Sequence, residues 1–347
     1  MTARRAPPTL FELEQPPGPT QGPAPAPPSD ELLRLGRLLP ADVHLGTSSW
    51  SFPGWRGIVY AQTHTESELA REGLPAYAAH PVLRTVSIDR GYYQPLGVAE
   101  YARYAAQVAE DFRFVVKAPS RYTDAVLRAD GGLPERSNPD FLDAQASAEQ
   151  FVLPALEGLG AKAGPLLFQF APLPREALRG EAAIALVERI GAFLGALPAQ
   201  GTHGRPLYTV ELRNPELLTP RFVRMLREHG ARLCVGIHAR MPEAIRQSAA
   251  LRAMDHDGTA HADGWHLAGP LVVRWNLHAG LRYDGAKNRY APFDRLVDPD
   301  LVTRGALSHL VHVAIRSAQP AFVIINNKAE GSAPLSCIEL AHAIARG

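Results

Sequence analysis

The sequence predicts an α/β protein: a closed (β/α)8 barrel with a disordered proline-rich N-terminal segment. Three observations carry this. Eight short β-rich runs recur along the chain, and stretches with helical spacing separate them. The whole alternation occupies about 300 residues, the size of one barrel with insertions. Several runs are near-continuously apolar, as parallel strands covered on both faces should be. A doubly wound open sheet is the alternative. It would prefer a glycine-rich phosphate turn after the first strand, and Gly46-Thr47-Ser48-Ser49-Trp50 is not G-x-G-x-x-G.

Residues 1–30 hold nine of the 31 prolines. Such a stretch cannot build a hydrogen-bond ladder and has little to bury, so residues 1–40 are predicted as a disordered segment and 41–347 as the barrel domain. A short helix is expected over 31–39, with Ser29 or Asp30 as N-cap and Pro40 beyond its end. The strands follow at 43–47, 84–88, 112–116, 166–170, 207–211, 233–237, 271–275 and 322–326. Between them, Val98, Tyr101, Ala102 and Ala105 follow helical spacing. Thr219-Pro220 is an N-cap with proline at the first helical position, and Gly230 stands where that helix should end. Residues 300–317 and 336–345 are the last two predicted helices.

Composition excludes several function classes. Thirty-six basic residues balance 35 acidic ones in no long block of one sign, which disfavours a nucleic-acid arm. No apolar run approaches the roughly 18 residues of a membrane helix, and Arg4 and Arg5 are not followed by a secretory h-region. A cytoplasmic protein is expected. The two cysteines, Cys234 and Cys337, form no Cys-x-x-Cys pair, which disfavours a disulfide framework or thiolate zinc site.

Polar residues interrupt the apolar runs at the strand C-terminal ends: Thr47 and Ser49, Asp89 and Arg90, Lys117, Gln169, Glu211 and Arg213, His238, Arg274 and Asn276, Asn326 and Asn327. In a parallel barrel these ends converge on one rim, where active sites of this fold are built. Lys117, Arg213 and Arg274 make a cationic bowl suited to a carboxylate or phosphate. Glu211 is either the partner of Arg213 in a structural ion pair or a general acid or base. Lys117 is a charge anchor or, if desolvated, a Schiff-base or proton-transfer lysine. His238 suits a proton shuttle or a satisfied structural role. The stretch 255–266 carries Asp255, His256, Asp257, His261, Asp263 and His266 in no recognised ligand spacing, so neither metal nor cofactor is expected. Trp50, Phe52, Trp55, Tyr92, Tyr93, Trp275 and Tyr283 flank the rim, either to stack on a ligand or to plug the barrel.

The run Gly46-Thr47-Ser48-Ser49-Trp50-Ser51-Phe52-Pro53-Gly54-Trp55-Arg56-Gly57 with Tyr60 resembles the opening signature of the DUF72 (YecE-like) family. The likeness continues through Tyr92-Tyr93, residues 112–119, 167–170 and 210–213, Arg274 with His278, and Asn326-Asn327, and covers roughly residues 42–345. The resemblance implies a TIM barrel of undetermined biochemical function. It points to Lys117, Gln169, Glu211, Arg213, Arg274 and Asn327. Two departures mark a divergent member: Ser87 stands where the family carries glutamate, and Asp124 follows Thr123 where the family has histidine.

The expected function is therefore a metal-independent enzyme acting on a small anionic metabolite, with Glu211 and Lys117 catalytic and Gln169, Arg213, Arg274, Asn327, His238 and Asp89 binding substrate. A barrel that binds without turnover is the alternative, and a nucleic-acid-processing barrel is disfavoured by the charge balance.

Overall fold

The computed structural model describes residues 22–128, 134–256, 258, 264–278 and 281–347. Among the described residues ten strands form: β1 (Val43–Thr47), β2 (Leu83–Ile88), β3 (Arg113–Lys117), β4 (Val126–Arg128), β5 (Pro134–Ser137), β6 (Ala163–Gln169), β7 (Tyr208–Glu211), β8 (Arg232–Ile237), β9 (Leu271–Trp275) and β10 (Ala321–Ile325). Eight of them close into a parallel barrel in the order β1-β10-β9-β8-β7-β6-β3-β2. All eight predicted strands are present, so the closed barrel holds and the open sheet does not. The antiparallel β4–β5 pair lies between β3 and β6. Its strands, three and four residues long, are too short to show a period-two pattern, and sequence pattern gave no sign of it.

Alternation along the strands separates two apolar regions. Outward residues such as Leu45, Val86, Phe168 and Val273 pack under the helices in one large core. Val115, Leu167, Cys234, Val272, Phe322 and Ile324 form a second, separate cluster inside the barrel. Two residues beyond Val115, Leu167, Val272 and Ile324, the same inward face turns polar at Lys117, Gln169, Arg274 and Asn326. The barrel is thus filled with hydrocarbon below and charge above.

The helices begin and end where local chemistry directs. Thr219 caps helix Pro220–Glu228 by accepting from the Phe222 amide, and Gly230 ends the turn at φ +65°. Helices Leu301–Arg316 and Ala333–Arg346 match the last two predicted. Among the described residues no helix is long and apolar enough to cross a membrane.

One expectation is corrected for residues 22–40, which are ordered against the barrel; residues 1–21 lie outside the described residues. The Ala26 amide donates to Val59 O at 2.9 Å, and the Ala61 amide donates to Ala24 O at 3.0 Å. Alternation of proline with alanine leaves these backbone groups free to pair at an edge. Helix Asp30–Leu38 follows, capped by Ser29, and the Arg84 guanidinium donates to Gly36 O and Pro40 O at 2.6 Å each. Arg84 thereby satisfies carbonyls that the helix end leaves open.

Candidate active site

The polar layer sits at the C-terminal ends of the barrel strands. β7 places Glu211 inward beside Gln169 of β6, and β8 places Gly236 beside Arg274 of β9. Glu211 is fully buried. Arg274 Nη1 donates to its Oε2 at 2.7 Å, Arg213 Nη1 stands 2.6 Å from its Oε1, and Asn276 Nδ2 donates to Oε1 at 3.0 Å. Gly236 makes room for this carboxylate, because a Cβ there would come within 3.1 Å of Glu211 Cγ and Oε1. Burial pushes the Glu211 pKa up, but Arg213 and Arg274 outweigh it and hold the carboxyl below its ordinary value.

Arg274 ties the layer together. Besides Glu211, its Nη1 donates to Gln169 Oε1 at 3.0 Å, and its Nη2 donates to Asp89 Oδ2 at 3.1 Å. Burial disfavours the Arg274 charge, yet Glu211 and Asp89 hold its pKa above the usual value. Arg213 Nη2 also donates to Gln169 Oε1 at 3.0 Å. Ser87 Oγ donates to Asp89 Oδ1 at 2.5 Å, so the serine at this divergent position orients the Asp89 carboxylate.

Lys117 is different in kind. It is 9% exposed, and among the described residues its ammonium makes no hydrogen bond and no carboxylate ion pair. Its Nζ lies 3.6 Å from the centroid of the Tyr92 ring. Burial pushes its pKa down to about 8; Asp89 opposes the shift and Arg274 adds to it. His238 accepts from the Arg240 amide through Nδ1 at 3.3 Å. Burial and then Arg213 push its pKa down to about 4, so its imidazole is neutral at pH 7.

A cavity of about 400 Å³ opens above this layer, lined by Asp89, Tyr92, Tyr93, Lys117, Gln169, Arg213, His238, Arg274, Asn276, Leu277 and Asn326. Six of the eight sequence-selected residues therefore share one cavity. Glu211 lies beneath it as its charged floor. Asn327 points away: its Oδ1 accepts from Trp55 Nε1 at 3.2 Å and from the Ala333 amide at 2.8 Å, joining the rim to the last helix. Asn326 lines the cavity in its place, with Nδ2 donating to Ser48 Oγ at 2.8 Å. Period-two alternation from Ile324, which faces the barrel interior, selects Asn326, and the same step from Arg274 selects Asn276.

Trp50, Trp55 and Trp275 are buried core residues, whereas Tyr92 and Tyr93 face the cavity. The Tyr283 side chain lies outside the described residues, as do Asp257 and residues 259–263 of the His- and Asp-rich stretch. Asp255 from that stretch is taken up by a two-point ion pair with Arg232. Among the described residues no three His, Cys, Asp or Glu side chains are placed to hold a metal ion.

Fold and site define a TIM barrel with a polar, partly charge-compensated cavity at its C-terminal rim. The chain belongs to the DUF72 family, described as proteins of unknown function, which matches residues 44–347. Two solved structures share the fold. A DUF72 family protein from Enterococcus faecalis is 19% identical, with a TM-score of 0.54 over 87% of this chain and 95% of that one. A DUF72 family protein from Thermotoga maritima is 18% identical, with a TM-score of 0.54 over 86% of this chain and 98% of that one. No curated protein matches the sequence.

Proposed function

We propose that this barrel is an enzyme that binds a small anionic metabolite in the rim cavity, with Lys117 as the reacting group. One observation carries the reading. Arg213, Arg274, Arg232 and Arg304 are all buried, and each is in ion-pair contact with a carboxylate. Lys117 is equally buried but rests on an aromatic face, so among the described residues it is the cavity cation that no carboxylate ion pair engages. Three cations there meet two carboxylates, Asp89 and Glu211, which leaves a single net positive charge while Lys117 is protonated. That balance favours a ligand with one anionic group, held against Arg213 and Gln169.

Glu211 is assigned a positioning role. A general base needs an oxygen that can reach substrate, and both of its oxygens are held by arginine and asparagine donors below the cavity. The same occupancy favours the second reading, a barrel that binds without turnover. Thermal shift against phosphate- and carboxylate-bearing metabolites tests the proposal. A ligand at 100 times its dissociation constant stabilises the fold by about 2.7 kcal/mol. Arg213→Gln is expected to weaken the hit, and Lys117→Met to abolish any chemical conversion. Conversion that survives Lys117→Met refutes the assignment, and binding without conversion favours the second reading.

A further inference from the structure

We infer that Lys117 forms an imine with its ligand, so that the substrate class is a small aldehyde or ketone bearing one anionic group. This rests on the reading of the rim cavity as the binding site and names the chemistry of that site.

Of the 36 basic residues, 32 are arginine and four are lysine: Lys117, Lys162, Lys287 and Lys328. Arginine is the default cation of this chain wherever a charge anchor suffices, including both other cations of the cavity. Arginine cannot lose its proton within a protein, whereas a buried lysine can. Lysine at a position next to two arginines therefore indicates a need for the amine itself.

The four lysines separate by environment. Lys287 is exposed on a helix. Lys162 donates to the carbonyls of Ala105 and Val108 at 2.9 and 2.8 Å and pairs with Glu110. Lys328 donates to Asn326 Oδ1 at 3.1 Å. Lys117 lines the cavity with no acceptor on its ammonium among the described residues, and the carboxylate of Asp89 in the same layer is already held by Ser87 and Arg274. Nothing fixes the nitrogen lone pair once the proton leaves, and burial has already made that loss easy.

The step balances. The neutral amine nitrogen attacks the carbonyl carbon, forming a C–N bond as the C–O π bond opens to a carbinolamine. The carbonyl oxygen then departs as water with the two amine hydrogens, leaving C=N. Protonation of that nitrogen gives an iminium, which returns to Asp89 and Glu211 the positive charge that the ammonium supplied before.

The test uses the full chain and reductive trapping. Protein is incubated with glyoxylate, pyruvate or glycolaldehyde phosphate and sodium cyanoborohydride, and adducts are located by peptide mass mapping. With four lysines to map, exposed Lys287 serves as the internal background. The expected result is one adduct per chain at Lys117, formed at least about tenfold faster than at Lys287, with a rate that rises through pH about 8. Adducts at Lys287 or Lys328 ahead of Lys117, or no adduct, overturn the inference. Glycolate, lactate and glycerol phosphate, which lack the carbonyl, separate the two levels. Stabilisation by these without trapping removes the imine and leaves the anionic-ligand reading; neither stabilisation nor trapping removes both.

Discussion

Lys117 and Lys162 are buried almost identically, at 9% and 8% exposed, at opposite ends of the paired strands β3 and β6. At the N-terminal end of the barrel, Lys162 spends its ammonium on two backbone carbonyls and Glu110. At the C-terminal end, Lys117 faces a cavity over an aromatic ring. The same side chain is consumed by hydrogen bonds in one place and, among the described residues, has no acceptor in the other. Burial alone therefore does not mark a functional residue; the proposed role of Lys117 rests on burial without an acceptor beside an open volume.

The largest effect that can sharpen this contrast comes from the floor of the cavity. Glu211→Gln leaves Arg213 and Arg274 buried with Asp89 as their remaining counter-charge, and breaking a buried pair from one side costs about 3–5 kcal/mol. Urea unfolding should show that loss. A change below about 1 kcal/mol, the range of an exposed pair, would mean that the network carries little. Next, Lys162→Met strands the carbonyls of Ala105 and Val108 and should cost about 2–4 kcal/mol. Lys117→Met removes a buried charge that has an aromatic face but, among the described residues, no hydrogen-bond or carboxylate partner to lose, so stability should hold or rise by up to about 2 kcal/mol. Equal losses for the two variants would break the contrast.

Much of this was legible in the chain. The eight strands and the cap at Thr219-Pro220 follow from local pattern, because strand and cap chemistry are properties of neighbouring residues. The rim residues were found because strand ends in a barrel converge. Facing was the harder part. Asn326 and Asn327 are adjacent and chemically identical, and only strand phase tells the cavity residue from the one that anchors Trp55 and the last helix. The roles proposed for Glu211 and Lys117 depend on which arginines reach the carboxylate and which miss the lysine. Those are distances across the barrel, which no stretch of sequence records. Residues 22–26 show the converse: a composition typical of disorder becomes ordered when another segment, around Val59 to Ala61, supplies partners for its backbone.

A pH signature tests the same contrast. The folded pKa of Lys117, about 8, lies below the 10.5 of an unperturbed lysine. Between these values the unfolded chain holds a proton that the folded chain has released, so the Lys117 contribution to stability rises with pH. Lys328, also pushed down to about 8 by burial and by Lys287, acts in the same sense. Buried Cys234, Cys337 and Tyr77, whose pKa values burial raises, act in the opposite sense and can mask the trend in the wild type. The informative quantity is therefore the stability of the wild type minus that of Lys117→Met, measured by urea unfolding from pH 7.5 to 10.5. It should climb by about 2–3 kcal/mol across that window, whereas a flat difference would mean that Lys117 titrates as an ordinary lysine and that burial does not ready its amine to react.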